Sequence, residues 1–261
     1  MRMKEITSAK NALIQDMRSL RRTRDRAAAG RMLVEGEVMI REALSSGLVP
    51  YDLLTEESRS AGAWEAAGFT VYLVPKALLE SVCDTRTPQG VCATFSLPGT
   101  VALQELPERV VALDGVQDPG NCGTIWRTAD AAGFHAVIFG AGSADPLSPK
   151  VLRSAMGSAF RIPFMQTPDL RDALLSLRSR GWEICASELH GTSFYEASFS
   201  KRTVLVVGSE AHGVDPRILE NADQRLTLPM RGRAESLNAA VAAGIMLYEI
   251  ARNLDPGAGG A

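Results

Sequence analysis

Two α/β domains, the second built on a mainly parallel sheet, are what this chain predicts, and three observations predict it. Short apolar runs alternate with helical stretches along most of its 261 residues. Runs in the second half, such as VVAL, AVIFG and VLVVG, are apolar throughout, as strands covered on both faces are. Between the two sets lies PGTVALQELPE (98–108), with turn residues at its start and no strong period, which reads as a linker. The domains are thus 1–97 and 109–261.

In the first domain a helix runs through Leu13, Ile14, Met17 and Leu20 at helical spacing, with Ser8 as its expected N-cap. Strands follow at 32–36, 51–54, 70–74 and 91–97, with helices near 37–45, 61–67 and 76–81. In the second domain strands are expected at 109–115, 136–140, 161–165, 182–187, 203–209 and 224–229. Helices are expected at 121–132, 149–157, 168–180, 215–221 and 236–253.

Composition is that of an ordinary globular chain, 46% hydrophobic and 22% charged. No run of 18 apolar residues predicts a membrane span, and the N-terminus lacks the apolar core of a signal peptide. Cys83, Cys92, Cys122 and Cys185 are scattered, as are His135, His190 and His212, which gives zinc little to bind. The expectation is a reduced, cytoplasmic, metal-free protein. The net charge of −2 hides an asymmetry: residues 1–31 hold nine basic side chains against three acidic ones. Such a segment is either a solvated helix face or an attractor of polyanions.

Ligands of parallel sheets sit beyond the carboxyl ends of the strands, so strand-to-helix loops carry the chemistry. The first such loop is LDGVQDPGNCGTIWRTADAAGF (113–134), in which Asn121 is an expected helix cap and Arg127 lies about 1.7 turns further on. The second, VLVVGSEAHGVD (204–215), carries Gly208, Glu210 and Gly213; Glu210 either binds a hydroxyl or caps the next helix. His212 is expected to be an exposed loop residue. The third, LTLPMRGRAESLNAAVAAGIMLYEI (226–250), leads through Ser236-Leu237-Asn238 into a helix rich in small residues suited to close packing. No GxGxxG with a following acidic residue exists, which disfavours a dinucleotide-dependent dehydrogenase.

Taken together and in order, these phrases resemble the SpoU (TrmH) family of RNA ribose 2′-O-methyltransferases, within the SPOUT superfamily. Asn121, Gly123, Arg127, Thr128 and Ala129 match its first motif; Gly208, Glu210 and Gly213 its second; Pro229, Met230, Gly232, Ser236, Leu237 and Asn238 its third. The departures are Ala211, where Gly is common, and Ala239-Ala240, where Val-Ser is common.

The resemblance implies a SPOUT-type sheet with a C-terminal trefoil knot, preceded by a ribosomal-protein-like RNA-binding domain whose VEG phrase (34–36) fits. It implies S-adenosyl-L-methionine as cofactor, held by Gly208, Leu228, Pro229, Met230 and Leu237, and a homodimer. It implies that Arg127 acts on the ribose hydroxyl, either as a base or as a cation stabilising the alkoxide. Asn121, Glu210, Ser236 and Asn238 would position ribose, phosphate and Arg127. The domain layout favours ribosomal RNA as substrate, with transfer RNA as the alternative. Methylation of a base, or RNA binding without turnover, are competing readings.

Overall fold

The computed structural model describes residues 4–56 and 61–255. They fall into two compact units: the chain up to Pro98 together with Leu147–Phe160, and Gly99–Pro146 together with Arg161 onward.

The first unit holds β1 (Lys4–Glu5), α1 (Ala12–Ser19), α2 (Thr23–Ala29), β2 (Arg31–Glu35), α3 (Glu37–Ser45), β3 (Pro50–Thr55), α4 (Ala61–Ala66), β4 (Thr70–Leu73), α5 (Lys76–Val82) and β5 (Val91–Ser96). Its mixed sheet runs β1-β4-β3-β5-β2, with β5 antiparallel to both neighbours. Asn11, not Ser8, caps α1: its side chain accepts from Leu13 N at 2.9 Å, while Ser8 Oγ accepts from Lys10 N in the preceding turn.

The basic N-terminal segment is largely built into this unit. Arg18 Nε donates to Ser81 O at 3.2 Å, Arg21 Nε to Val82 O at 3.0 Å, and the buried Arg26 to Leu20 O at 2.8 Å. Arg31 pairs with Asp16 at 2.9 Å. Arg18 and Arg21 tie α1 and the turn after it to α5, Arg31 ties α1 to the sheet, and Arg26 holds α2 to that turn, while Ile14, Met17 and Leu20 are core residues. The Glu35-Gly36 pair has a structural reason as well. Glu35 accepts from Thr85 Oγ1 at 2.9 Å, and Gly36 turns the chain at φ 86°. Helix α7 (Pro149–Ala155) packs on β2, where Arg153 pairs with Asp84 at 2.8 Å.

In the second unit lie β6 (Arg109–Asp114), α6 (Pro119–Ala131), β7 (Ala136–Phe139), β8 (Phe164–Gln166), α9 (Leu170–Ser179), β9 (Glu183–Ser193), β10 (Thr203–Gly208), α10 (Pro216–Leu219), β11 (Gln224–Thr227) and α11 (Ala239–Leu254). The helix α8 (Ser158–Arg161) precedes β8. That sheet runs β11-β9-β10-β6-β7-β8 and every pairing is parallel. Parallel strands exchange all their hydrogen bonds within the sheet, so both faces are free to bury apolar side chains. One face packs Val110, Ala112, Val204 and Val206 against Leu174 and Leu177 of α9. Below the other, Trp126 of α6 meets Phe139 and Phe164 edge-on at 5.3 and 5.4 Å. Each fully buried side chain of this size contributes about 1.5–3 kcal/mol.

Several boundaries differ from those expected. The strand placed at 161–165 is β8 at 164–166, because Arg161 ends α8 and pairs with Asp130 at 2.8 Å. The last strand ends at Thr227, and α11 begins only after Asn238. Residues 99–108 pack with the second unit, Val101 N donating to Phe164 O at 3.0 Å and Leu106 lying buried.

Candidate active site

All six strands being parallel, their carboxyl ends lie at one edge of the sheet, and the three loops singled out above leave from that edge. In the first loop the helix cap is Asp118, not Asn121. Asp118 Oδ1 accepts from Asn121 N at 2.9 Å, with Pro119 at the first helical position. An Asp-Pro pair is the stronger start signal, and it places Asn121 one turn inside α6 with its side-chain amide free for other partners. Cys122 is buried beside it, its thiol donating to Val116 O and pushed up to about 11 by burial, so it is no nucleophile at neutral pH.

In the second loop β10 ends at Gly208, and the chain folds back so that Ser209 and Gly213 exchange hydrogen bonds of 3.2 and 2.9 Å. A Cβ on Gly208 would overlap the Gly213–Val214 peptide, so only glycine allows this turn. Gly213 has φ 67°. The turn lifts Glu210, Ala211 and His212 into solvent. Glu210 is not a helix cap; Asp215 caps α10, accepting from Arg217 N at 2.8 Å. The loop is clipped to the first by Asp114 at the end of β6, which accepts from Asp215 N at 2.7 Å. Burial raises the Asp114 carboxyl above its usual 3.8, and the Asp215 N–H offsets part of that.

In the third loop Leu228 is buried, while Pro229 through Asn238 are exposed, including the apolar Met230 and Leu237. Asn238 Oδ1 caps α11, accepting from Ala240 N at 3.0 Å and Val241 N at 3.3 Å. That capping explains why the helix starts at 239 rather than 236.

One hydrogen-bonded chain joins the three loops. Asn121 Nδ2 donates to Glu210 Oε1, and Asn121 Oδ1 accepts from Asn238 Nδ2 at 3.1 Å. Both oxygen and amide of Asn121 are thereby committed, which fixes its orientation. Arg127 sits six residues along α6, about 9 Å up the axis and about 120° around it. It is exposed and has no hydrogen-bond or ion-pair partner among the described residues. Ser236 lies exposed two residues before Asn238. The loop geometry brings Asn121, Glu210 and Asn238 into contact; Pro229, Met230, Ser236 and Leu237 lie on the loop that leaves β11, and Arg127 lies further along α6, none with a direct bond to them.

Between α6 and α11 runs a groove of about 460 Å³ lined by Asn121, Thr124, Thr128, Asn238, Val241 and Tyr248 among others. Its outer wall is an apolar stripe on α11: Val241, Ile245 and Tyr248 are 52%, 37% and 54% exposed. The sequence reading missed Asp114, Asp118 and this stripe. Asp118 was legible from its Pro119 neighbour; the stripe was hidden because α11 is apolar on nearly every side. Among the described residues no three His, Cys, Asp or Glu side chains converge as metal ligands.

A parallel sheet whose strand ends carry a cross-bonded polar cluster, beside exposed apolar loop residues, defines an α/β domain built for a ligand at those ends. Comparison with known proteins gives the family. The SpoU rRNA Methylase family matches residues 108–248, and an MRM3-like substrate binding domain matches residues 11–93. A 23S rRNA (guanosine(2553)-2′-O)-methyltransferase of Bacillus subtilis is 39% identical over 95% of this chain and 99% of its own. A 23S rRNA (uridine(2479)-2′-O)-methyltransferase of Streptomyces viridochromogenes is 32% identical over 95% of this chain and 92% of its own. An rRNA methyltransferase from Sinorhizobium meliloti, solved with AdoMet bound, superposes with a TM-score of 0.84 at 33% identity, over 96% of this chain and 97% of that one. This chain belongs to the SpoU rRNA methylase family.

Proposed function

We propose that this protein transfers the methyl group of S-adenosylmethionine to a ribose 2′-hydroxyl of 23S ribosomal RNA. The observation that carries the reading is the bonded chain Glu210–Asn121–Asn238, which ties three loops together at the sheet edge where ligands of parallel sheets bind. Two family members that match 95% of this chain are 23S rRNA 2′-O-methyltransferases by name, and the match of residues 11–93 to a substrate-binding domain supports a separate RNA-binding part. Residues 1–97 would then bind RNA, 98–108 link, and 109–261 carry the chemistry.

The residues present fit the cofactor. Gly208 and Leu228 offer backbone where the chain leaves β10 and β11, and the exposed Pro229, Met230 and Leu237 offer apolar surface suited to an adenine and a thioether chain. Bound there, S-adenosylmethionine supplies an electrophilic methyl on a sulfonium. The protein's own task is to hold the acceptor oxygen about 3–3.5 Å away and in line. Asn121 is aimed by Glu210 and Asn238 and orients the ribose, with Ser236 beside it. A guanidinium keeps its charge in proteins. Arg127 therefore acts as a cation that stabilises the developing alkoxide and an adjoining phosphate, while the hydroxyl proton passes to solvent water.

The active form is a homodimer, supported by the exposed Val241, Ile245 and Tyr248 stripe flanking Asn121 and Asn238. The trefoil-knot threading that the family resemblance implies belongs to the same proposal, as does a cytoplasmic location alongside ribosomes. No described helix is long and apolar enough to cross a membrane.

The test is transfer of labelled methyl from S-adenosylmethionine to in-vitro-transcribed bacterial 23S rRNA, followed by alkaline hydrolysis. A ribose 2′-O-methyl blocks cleavage at that linkage, so label in alkali-stable dinucleotides is expected. Label released as mononucleotide would show base methylation and contradict the proposal. Label accepted by transfer RNA alone would move the substrate.

A further inference from the structure

The arginines of the second unit differ in whether they have internal partners. Twelve lie between Gly99 and Pro146 or from Arg161 onward. Nine of them are held among the described residues, as Arg161 is by Asp130, Arg178 by Asp223, Arg252 by Glu249, Arg225 by the Leu219 carbonyl and Arg202 by the Trp182 ring. The three without a partner among the described residues are Arg127, in the middle of α6, and Arg231 and Arg233, both on the loop between β11 and α11. Arg231 and Arg233 are exposed on the loop between β11 and α11, and the loop's own carboxylate, Glu235, bonds to neither. That loop is anchored at one end by β11 and at the other by Asn238, which is bonded to Asn121. Arg233 is five residues from Asn238, so its backbone lies within about 17 Å of the bonded cluster.

We infer that Arg231 and Arg233 are a substrate-positioning pair that grips RNA backbone phosphates flanking the target ribose. The inference rests on the function proposed above and deepens it. Guanidiniums match phosphate oxygens in a fork geometry, and free ones avoid the cost of breaking an existing pair before binding. Nine of the unit's other ten arginines have internal partners among the described residues; the two on this loop have none. Motif residues Met230, Gly232 and Leu237 interleave with the pair, so phosphate contact and cofactor contact share one loop.

The experiment compares wild type with Arg231→Ala, Arg233→Ala, the double alanine variant, the double lysine variant, and Lys201→Ala. Lys201 precedes β10 at the opposite end of the sheet. The readouts are KM and kcat for unmodified 23S rRNA transcript, the salt dependence of RNA binding, and S-adenosylmethionine affinity by calorimetry. The double alanine variant is expected to raise KM about ten-fold per guanidinium lost, with little change in kcat. Its log–log salt slope is expected to fall by about 1.4–1.8, since each phosphate contact contributes about 0.7–0.9. Lysines are expected to restore the slope more than the KM, and Lys201→Ala to alter neither.

An unchanged slope and KM would overturn the inference. So would a parallel loss of S-adenosylmethionine affinity, which would make the pair ligands of the cofactor's carboxylate. If wild type methylates no ribose, the proposed function falls, while the salt slope still decides whether these arginines hold RNA.

Discussion

Asn121 is the residue on which the site's geometry turns, because both ends of its amide are engaged by side chains 89 and 117 residues away in sequence. Asn121→Ala is expected to lower kcat by about 10²-fold, the scale of a misplaced reacting group. It is expected to leave S-adenosylmethionine binding, measured by calorimetry, nearly unchanged; equal losses in both would make Asn121 part of the cofactor site. Asp114 gives a second residue-scale expectation. Its folded carboxyl titrates above 3.8 because it is half-buried, so the folded state holds that proton to higher pH than the unfolded chain does. Stability from this group is therefore fully present below 3.8 and declines as pH rises through the raised value. Asp114→Asn keeps the acceptor for Asp215 N and removes the titration, so its urea-denaturation midpoint is expected to lose that part of the decline. Asp114→Ala strands the Asp215 N–H and is expected to cost about 1–3 kcal/mol at any pH. Identical pH slopes for wild type and Asp114→Asn would contradict the assignment.

At the scale of elements, the alternation of apolar runs and helices was legible because parallel strands are apolar on both faces and helices are not. Its limits came where a side chain decides a boundary. Asn238 bonds backward into Ala240 and Val241 and so delays α11, and Asp118 takes the cap that Asn121 was expected to fill. Three motif loops could be found from glycine, proline and asparagine spacing, but the bonds between them could not. Contacts between residues so distant in sequence depend on strand order, which local pattern does not carry. Helix α11 gives the element-scale prediction. Val241, Ile245 and Tyr248 recur at four- and three-residue spacing and face outward, while Met246, Leu247 and Ile250 face the sheet. A Val241→Glu, Tyr248→Glu double variant is expected to sediment as a folded monomer where wild type sediments as a dimer. A wild-type monomer at tens of micromolar, or a variant that still dimerises, would contradict the homodimer.

For the whole molecule, the uneven charge of the chain has a different meaning than its sequence suggested. Arg18, Arg21, Arg26 and Arg31 hold the first unit together, so much of the basic N-terminal run serves cohesion. In the second unit the unpartnered guanidiniums among the described residues are Arg127 on α6 and Arg231 and Arg233 on the loop before α11, all within the segments that carry the family motifs. The central claim is that these loops form one site for ribose methylation, with Arg127 as its cation. The most direct measurement is nuclease digestion and mass spectrometry of 23S rRNA transcript after incubation with S-adenosylmethionine and either wild type or Arg127→Ala. The account predicts a single 2′-O-methylated nucleoside with wild type, reduced at least 10²-fold in the variant. A base-methylated nucleoside, or an undiminished 2′-O-methyl yield from Arg127→Ala, would contradict it.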